Sequence, residues 1–310
     1  MPNPFFSVIT VTYNSSQFVR DAIESVLAST FTDFELIIGD DCSTDNTWEI
    51  INEYNDARIV NYRNETNLRE YPNRNKALGM VNGEWVIFID GDDIIYTHSL
   101  SVLNLILQNY SDVAIAIMCP ENKNYIPNLR LNPTQLYEIE FSEFGLINRA
   151  LSHTVYKSDV LKENFFETEG FIGLDTLNRL QILMTQDCLL VHDNLTWWRE
   201  SPNQASKKII KSLRNEMYLM SKYLFSNELC PLTNEKKLIY IKNTKIKLSR
   251  IFLLYFFRFK FKKAIKILIV NDLNIFDLRF IFCKINYTNP IFTIDQSVRY
   301  DLKRIISFQH

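Results

Sequence analysis

Trp85-Val86-Ile87-Phe88-Ile89-Asp90-Gly91-Asp92-Asp93 runs five apolar residues straight into three carboxylates within four positions. A run this short and this apolar reads as a strand buried on both faces, the kind found in parallel sheets. Packing does not explain the carboxylates beyond it. Like charges crowded at a strand end are costly unless a cation offsets them. Mg2+ or Mn2+ held by one or two carboxylates plus substrate phosphates is the usual arrangement. A solvated acidic turn is the plainer alternative.

The same layout recurs upstream. Phe5–Val11 reads as a buried strand ending in Thr12-Tyr13-Asn14, and Phe34–Ile38 as another ending in Gly39-Asp40-Asp41. Between the strands lie helix patterns at Phe18, Ala22, Ile23, Val26 and Leu27, then at Trp48, Ile50, Ile51 and Tyr54. Arg58–Tyr62 is a third strand, Arg74–Val81 a helix stopping near Gly83, Leu100–Gln108 a helix and Val113–Met118 a strand. This alternation predicts an α/β fold with a mostly parallel sheet covered on both faces. Ligands of such sheets bind outside the carboxyl ends of the strands, where the three polar tips converge.

Beyond residue 131 the pattern is mixed. It predicts short strands near Leu136–Ile139, Thr154–Lys157, Leu189–His192 and Thr196–Trp198, with a helix over Asp175–Met184. No glycine follows Gly173, and helical spacing dominates from about Gln204. The expected division is an α/β domain over 1–205 and a helical region over 206–310.

The 310 residues are 46% hydrophobic with a formal net charge of -2, which argues against a general nucleic-acid binder. Residues 236–270 hold 11 Lys/Arg and no Asp/Glu, leaving 23 basic against 36 acidic residues elsewhere. Lys/Arg there alternate with Phe, Leu, Ile and Tyr, which suits either an anionic membrane surface or packing against the α/β part or a second subunit. The five scattered cysteines lack a C-x-x-C, fitting a reducing compartment and excluding a disulfide scaffold or zinc ribbon. The N-terminus has no basic n-region, so no signal peptide is expected. The longest apolar runs, Ile251–Phe257 among them, are far below the ~20 residues that span a bilayer. The expected location is cytoplasmic, either soluble or peripheral on the inner face of the membrane.

Several tip residues admit two readings. Asp45 or Thr44 can cap the helix near Thr47, a structural role. Asp41 precedes that turn, and a carboxylate there can accept from a base N–H or a ribose hydroxyl. Tyr13 offers either a stacking face for a base or ordinary packing.

Ser7–Asn14, Phe31–Ile38, Asp40–Asp45, Asn73-Arg74-Asn75 and Gly83–Asp93, in this order and spacing, resemble family 2 glycosyltransferases of the GT-A fold over roughly residues 5–200. The resemblance implies an inverting transferase using a nucleotide-activated sugar, most often UDP-linked, and a glycan or lipid-linked acceptor such as a surface polysaccharide. It divides the α/β part into a nucleotide-binding half (about 1–120) and an acceptor-binding half (about 121–205). It assigns Tyr13, with Thr12 beside it, to packing on the base and Asp41 to reading it. Asp90 takes the ribose side and Asp92 the metal, with Asp93 as an alternative ligand. Arg74 matches an arginine facing the donor.

The implied base follows a glycine at a helix start, where Gly173-Leu174-Asp175 stands. Leu174 replaces a common glutamate, and Asp175 is the candidate, with Asp187 and Asp193 as rivals. A helix-dipole role for Asp175 is the structural alternative. Trp198 and Arg199 occupy the place of an aromatic-Arg strand over the donor, and could instead belong to the core. His192 is either a further ligand or structural. Two other classes remain: an aspartyl-nucleophile phosphohydrolase, which leaves Tyr13 and Asp41 unused, and a non-catalytic nucleotide-sugar binder. A nicotinamide enzyme is disfavoured because no G-x-G-x-x-G follows a strand.

Overall fold

The computed structural model describes residues 3–119, 128–142, 147, 149–171, 173–192, 195–199, 218–271, 273 and 278. The chain runs β1 (Phe6–Thr12), α1 (Val19–Leu27), β2 (Phe34–Asp40), α2 (Thr47–Ile51), β3 (Ile59–Arg63), α3 (Glu70–Leu78), β4 (Trp85–Phe88), β5 (Ile94–Ile95), α4 (Ser99–Leu107) and β6 (Ile115–Cys119). It continues through β7 (Leu129–Leu131), α5 (Pro133–Ser142), a 3-10 turn (Leu151–His153), β8 (Thr154–Lys157), α6 (Ser158–Glu163), α7 (Leu174–Ile182), β9 (Cys188–His192) and β10 (Thr196–Trp197). Helices α8 (residues 218–226), α9 (Asn234–Phe257) and α10 (Phe261–Val270) follow.

Eight strands form one sheet in the order β3-β2-β1-β4-β8-β6-β9-β7. The β1–β2, β2–β3, β1–β4 and β6–β9 pairs are parallel, whereas β8 is antiparallel to both its neighbours and β7 to β9. Period-two alternation splits the strand residues between two cores. Ile9, Val11, Ile37, Val86, Phe88 and Tyr156 pack with α3, α5 and α7 on one face. Phe6, Val8, Leu36, Ile38, Trp85 and Ile87 pack with α1, α2 and α4 on the other. Both faces being covered is why the strands read as unbroken apolar runs.

The order also fixes the site. From β1 the chain first adds β2 and β3 on one side, then returns to place β4 on the other, so β1/β4 is a topological switch point. Thr12 lies level with Asp40. Beyond β4, Ile89 N–H donates to Ile9 O (2.9 Å) and Gly91 N–H to Val11 O (3.2 Å), carrying the acidic turn up to the β1 tip.

Two expectations need correction. Leu136–Ile139 is helical, within α5, not a strand. Asn132 and Gln135 cap each other reciprocally at 3.0 Å, with Pro133 in the first helical position. A four-residue apolar stretch could not distinguish the two states. The helix expected from Arg74 begins at Glu70, because its first turn is too polar to register as periodic. The onset of helix near Gln204 and the division at 205 lie outside the described residues. Phe141 of α5 packs on Phe225 of α8 (4.8 Å between centroids) and on Tyr240 of α9 (6.3 Å). Lys236 pairs with Glu138 across the same junction. Among the described residues no helix is long and apolar enough to cross a membrane.

Gly83, just before β4, shows how tightly the central strands meet. A Cβ there would lie 2.5 Å from Ser7 N and 2.7 Å from the Phe6 carbonyl carbon, backbone atoms with no freedom to yield. Gly83→Ala is expected to cost about 2–3 kcal/mol and to lower Tm by several degrees in thermal denaturation.

Candidate functional site

The loops after β1 and β2 are stitched into one unit. Asn14, at φ 50°, accepts from Thr44 N (2.8 Å) and Thr44 Oγ1 (3.2 Å), and its own N–H donates to Ser43 Oγ (2.9 Å). Asp45 accepts from Ser16 N (3.1 Å), Thr47 N (3.0 Å) and Thr47 Oγ1 (2.5 Å), so it serves the start of α2 and the β1 loop together. Partial burial pushes its pKa upward, but the bonds from Thr47 and Ser16 more than offset this and hold it below the ordinary aspartate value. Asp40, fully buried, is taken up by Ser43 and by Arg63 Nε (3.3 Å). Tyr13 stands at the rim of this unit, 49% exposed, and its ring packs on no other ring among the described residues.

Asp41 is buried and heavily engaged. Its carboxylate accepts from Asn64 Nδ2 (2.9 Å), Leu68 N (2.8 Å) and Arg69 N (2.9 Å). Arg69 sits at φ 74°, ψ 171° immediately before α3, a region almost confined to glycine that costs on the order of 1–3 kcal/mol. Asp41 therefore anchors the strained start of α3. That helix carries Arg74, whose buried guanidinium grips Asp90 bidentately (2.7 and 2.9 Å) and also donates to Glu70 (2.9 Å). Burial pulls the Arg74 pKa down, but Asp90 and Glu70 outweigh it and hold the group well above its ordinary value.

With Asp90 committed to Arg74, its neighbours carry the unbalanced charge. No hydrogen bond from another described residue reaches the Asp92 carboxylate, whose pKa is raised by burial and then by Asp90. Asp93 is buried and pushed up to about 8, first by burial and then by Asp90. One Asp93 oxygen accepts from Arg199 N (3.2 Å). The Arg199 guanidinium donates to Asp92 O (3.0 Å) and Asp21 (2.8 Å), between the rings of Phe18 (4.8 Å) and Trp197 (5.0 Å). It bolts the acidic turn to α1 and β10. Trp198 is partly buried beside it. Thr12 is buried with its Oγ1 unpartnered, and a Cβ on Gly91 would come within 2.6 Å of that atom. Only glycine lets the turn close on the β1 tip.

Asp175 lies in the first turn of α7. Its Oδ2 pairs with buried Arg179 (2.7 Å), while Oδ1 accepts no bond from a described residue. Its N–H donates to Tyr71 Oη (3.4 Å), and the Tyr71 hydroxyl is held strongly neutral by burial and by the Asp175 charge. Tyr71 and Arg74 are three residues apart on α3, so one helix touches both Asp175 and Asp90. Asp187 is occupied by Arg130 (2.6 Å), and His192 is exposed at the end of β9. Asp193 lies outside the described residues.

The model of glycosyl transferase family 2 matches residues 7–165, which contain every strand tip just described. The chain belongs to that family. Among the family's curated members, the poly(ribitol-phosphate) β-N-acetylglucosaminyltransferase TarS of Staphylococcus aureus is 32% identical over 169 residues, 51% of this chain and 28% of the relative. The Escherichia coli glucosyltransferase WfaP, named for UDP-Glc and α-D-GlcNAc-diphosphoundecaprenol, is 38% identical over 95 residues, 31% of this chain and 38% of its own. The matched segment thus spans well under half of either relative. TarS 1-349 with UDP-GlcNAc superposes with a TM-score of 0.60 at 22% identity, covering 77% of this chain and 71% of that one. A mannosyltransferase of Pyrobaculum calidifontis, in complex with GDP-Man and Mn2+, gives 0.59 at 14%, covering 87% and 86%. The fold is GT-A.

The acidic turn of this family 2 member suits a divalent ion of a particular kind. Among the described residues no three His, Cys, Asp or Glu side chains are gathered to hold a metal unaided. The Asp92 carboxylate, which no other described residue bonds, could supply one oxygen to Mg2+ or Mn2+ only where further ligands completed the shell. An aspartyl nucleophile at Asp90 is disfavoured, because both its oxygens accept from Arg74. Sequence reasoning missed Glu70, Tyr71, Asn64 and Arg179. The i,i+4 spacings Glu70–Arg74 and Asp175–Arg179 were visible signals, whereas Tyr71 and Asn64 act only through tertiary contacts.

Asp41→Asn turns an amide N–H2 toward donors that need an acceptor. It is expected to cost about 1–3 kcal/mol and to make the 64–69 loop the first site cut in limited proteolysis.

Proposed function

We propose that this chain is an inverting, metal-dependent glycosyltransferase of hexosyl or N-acetylhexosaminyl type. It moves a sugar from a UDP-linked donor to a hydroxyl of a glycan or lipid-linked acceptor in surface-polysaccharide synthesis. The observation that carries the reading is the convergence on one sheet edge of exposed Tyr13 and a free Asp92 beside Arg74-bound Asp90, tied through α3 to Asp175. The UDP-GlcNAc and GDP-Man complexes of the structural neighbours support a nucleotide-sugar donor, and the second supports a divalent ion. The name of WfaP supports a lipid-linked acceptor.

Tyr13 stacks on the base, with Thr12 beneath it. Asp41 has one of roughly four acceptor directions left after its three internal bonds, enough for one base N–H. Asp90, oriented by Arg74, faces the ribose. Asp92, with Asp93 beside it, would hold Mg2+ or Mn2+, which would supply charge neutralisation to the leaving diphosphate. Arg199 positions the acidic turn, and Trp198 lines the sugar beside it. The free Oδ1 of Asp175 takes the proton of the acceptor hydroxyl as its oxygen bonds to the anomeric carbon. The bond from that carbon to the diphosphate oxygen breaks on the opposite face. Arg179 keeps Asp175 oriented during the step.

Asp175→Asn preserves the bond to Arg179 and is expected to lower kcat by about 10²–10⁴-fold while the donor still raises Tm. Asp92→Ala should instead abolish the Mn2+-dependent rise in Tm. With donor at 100 times its Kd that rise reflects about 2.7 kcal/mol, several degrees in a nucleotide panel. No shift with any nucleotide under any metal would sink the donor site, and UDP release without sugar transfer to any hydroxyl would sink the transferase reading.

A further inference from the structure

The α9–α10 hairpin is docked at one end only. Tyr240, Ile246 and Leu248 are buried in α9, and Ala264 and Ile267 in α10. By contrast Phe256-Phe257-Arg258-Phe259-Lys260-Phe261-Lys262-Lys263, at the connection, is exposed throughout. Phe257 is 71% and Phe259 83% exposed, yet the rings gather: Phe256 lies 5.9 Å from Phe257 and 5.3 Å from Phe261, which lies 6.1 Å from Phe259. The turn itself places Phe259 at φ 54°, where glycine or asparagine is the low-strain choice. The apolar surface continues along α10 as Phe261, Ile265 and Ile269, an i, i+4, i+8 stripe facing solvent and bordered by Lys262 and Lys266. Exposed apolar area gathered in this way marks an interaction surface.

The charge around it selects the partner. With 11 Lys/Arg and no Asp/Glu over residues 236–270, the tip has no anion of its own to balance its cations. A second copy docked on the same face would oppose like charge with like. Residues 271–310 carry five basic and four acidic side chains, so they offer no net complement either. A plane of phosphate headgroups over an acyl interior meets both the cations and the rings.

We propose that the α9–α10 tip inserts into the interface of an anionic lipid bilayer. The Phe256, Phe257, Phe259 and Phe261 rings enter the acyl boundary, and Arg258, Lys260, Lys262 and Lys263 engage lipid phosphates. The proposal stands independently of the donor reading, because none of these residues belongs to the nucleotide edge.

The test is flotation of the full chain with phosphatidylcholine vesicles and with vesicles containing about 30% phosphatidylglycerol, at low and high salt. Expected is capture by the anionic vesicles, weakened by salt and nearly absent on phosphatidylcholine alone. The triple variant Lys260→Glu, Lys262→Glu, Lys263→Glu should lower partitioning on the order of 100-fold. Phe257→Ser with Phe259→Ser should abolish capture without moving Tm, since both rings are solvent-facing. Leu238→Ser, an equally exposed position away from the tip, is expected to bind as the parent chain does. Absence of capture, equal capture by neutral vesicles, or capture unaffected by the tip variants would overturn the proposal. So would a dimer in solution that the Phe257 and Phe259 changes dissociate while vesicle binding is untouched.

Discussion

A guanidinium buried against a strand-end carboxylate is the interaction on which the site depends. Arg74 is 3% exposed, and an unpaired charge there would be costly by several kcal/mol. Asp90 takes both of its terminal nitrogens, Glu70 shares one of them, and the Phe88 ring lies 5.5 Å below. The consequence reaches past the pair. Three carboxylates at one strand end cannot all remain charged and unbalanced, and Arg74 neutralises only the first. What is left is an Asp92 carboxylate with no bond from another described residue and an Asp93 pushed toward its protonated form.

The same helix extends that balance to Asp175. Arg69 leads α3 out of a strained conformation that Asp41 stabilises from β2. Tyr71 and Arg74 then project from one face, one toward Asp175 and the other toward Asp90. Because the helix is rigid, the separation between the carboxylate cluster and Asp175 is set by a helical repeat rather than by a loop. Buried Arg179, bound to Thr154 Oγ1 (2.9 Å) and Arg149 O (2.9 Å), fixes Asp175 from the other side.

This division explains what the sequence disclosed. Buried parallel strands must be apolar throughout, so β1, β2 and β4 were legible, and so were the polar tips that packing could not account for. Asp45 was read correctly as serving the start of α2, a local matter. The internal roles of Asp41 and Arg74 were not legible. Asp41 binds partners 23 to 28 residues away and Arg74 one 16 away, and no periodicity records such contacts. The failure at α5 was of a different kind: its apolar residues suit either state, and the Asn132–Gln135 cap that decides the matter lay just outside the stretch being read.

The charge segregation along the chain acquires a spatial meaning from the packing of α8. Tyr223 of α8 lies 5.5 Å from the ring of Phe171, two residues before Gly173, and its hydroxyl accepts from Gln181 of α7. Met220, Leu224 and Phe225 join the core on the α3, α5 and α7 face, the face that carries Asp175. The basic hairpin therefore roots on the α3, α5 and α7 face of the sheet, whereas α1, α2 and α4 cover the opposite face. A bilayer held at the hairpin tip, as proposed, would fix the chain to the membrane through a segment rooted on the same face as α7. For an acceptor carried on a lipid, confinement to that membrane would replace a three-dimensional search with a local one, raising its effective concentration whichever residue serves as the base.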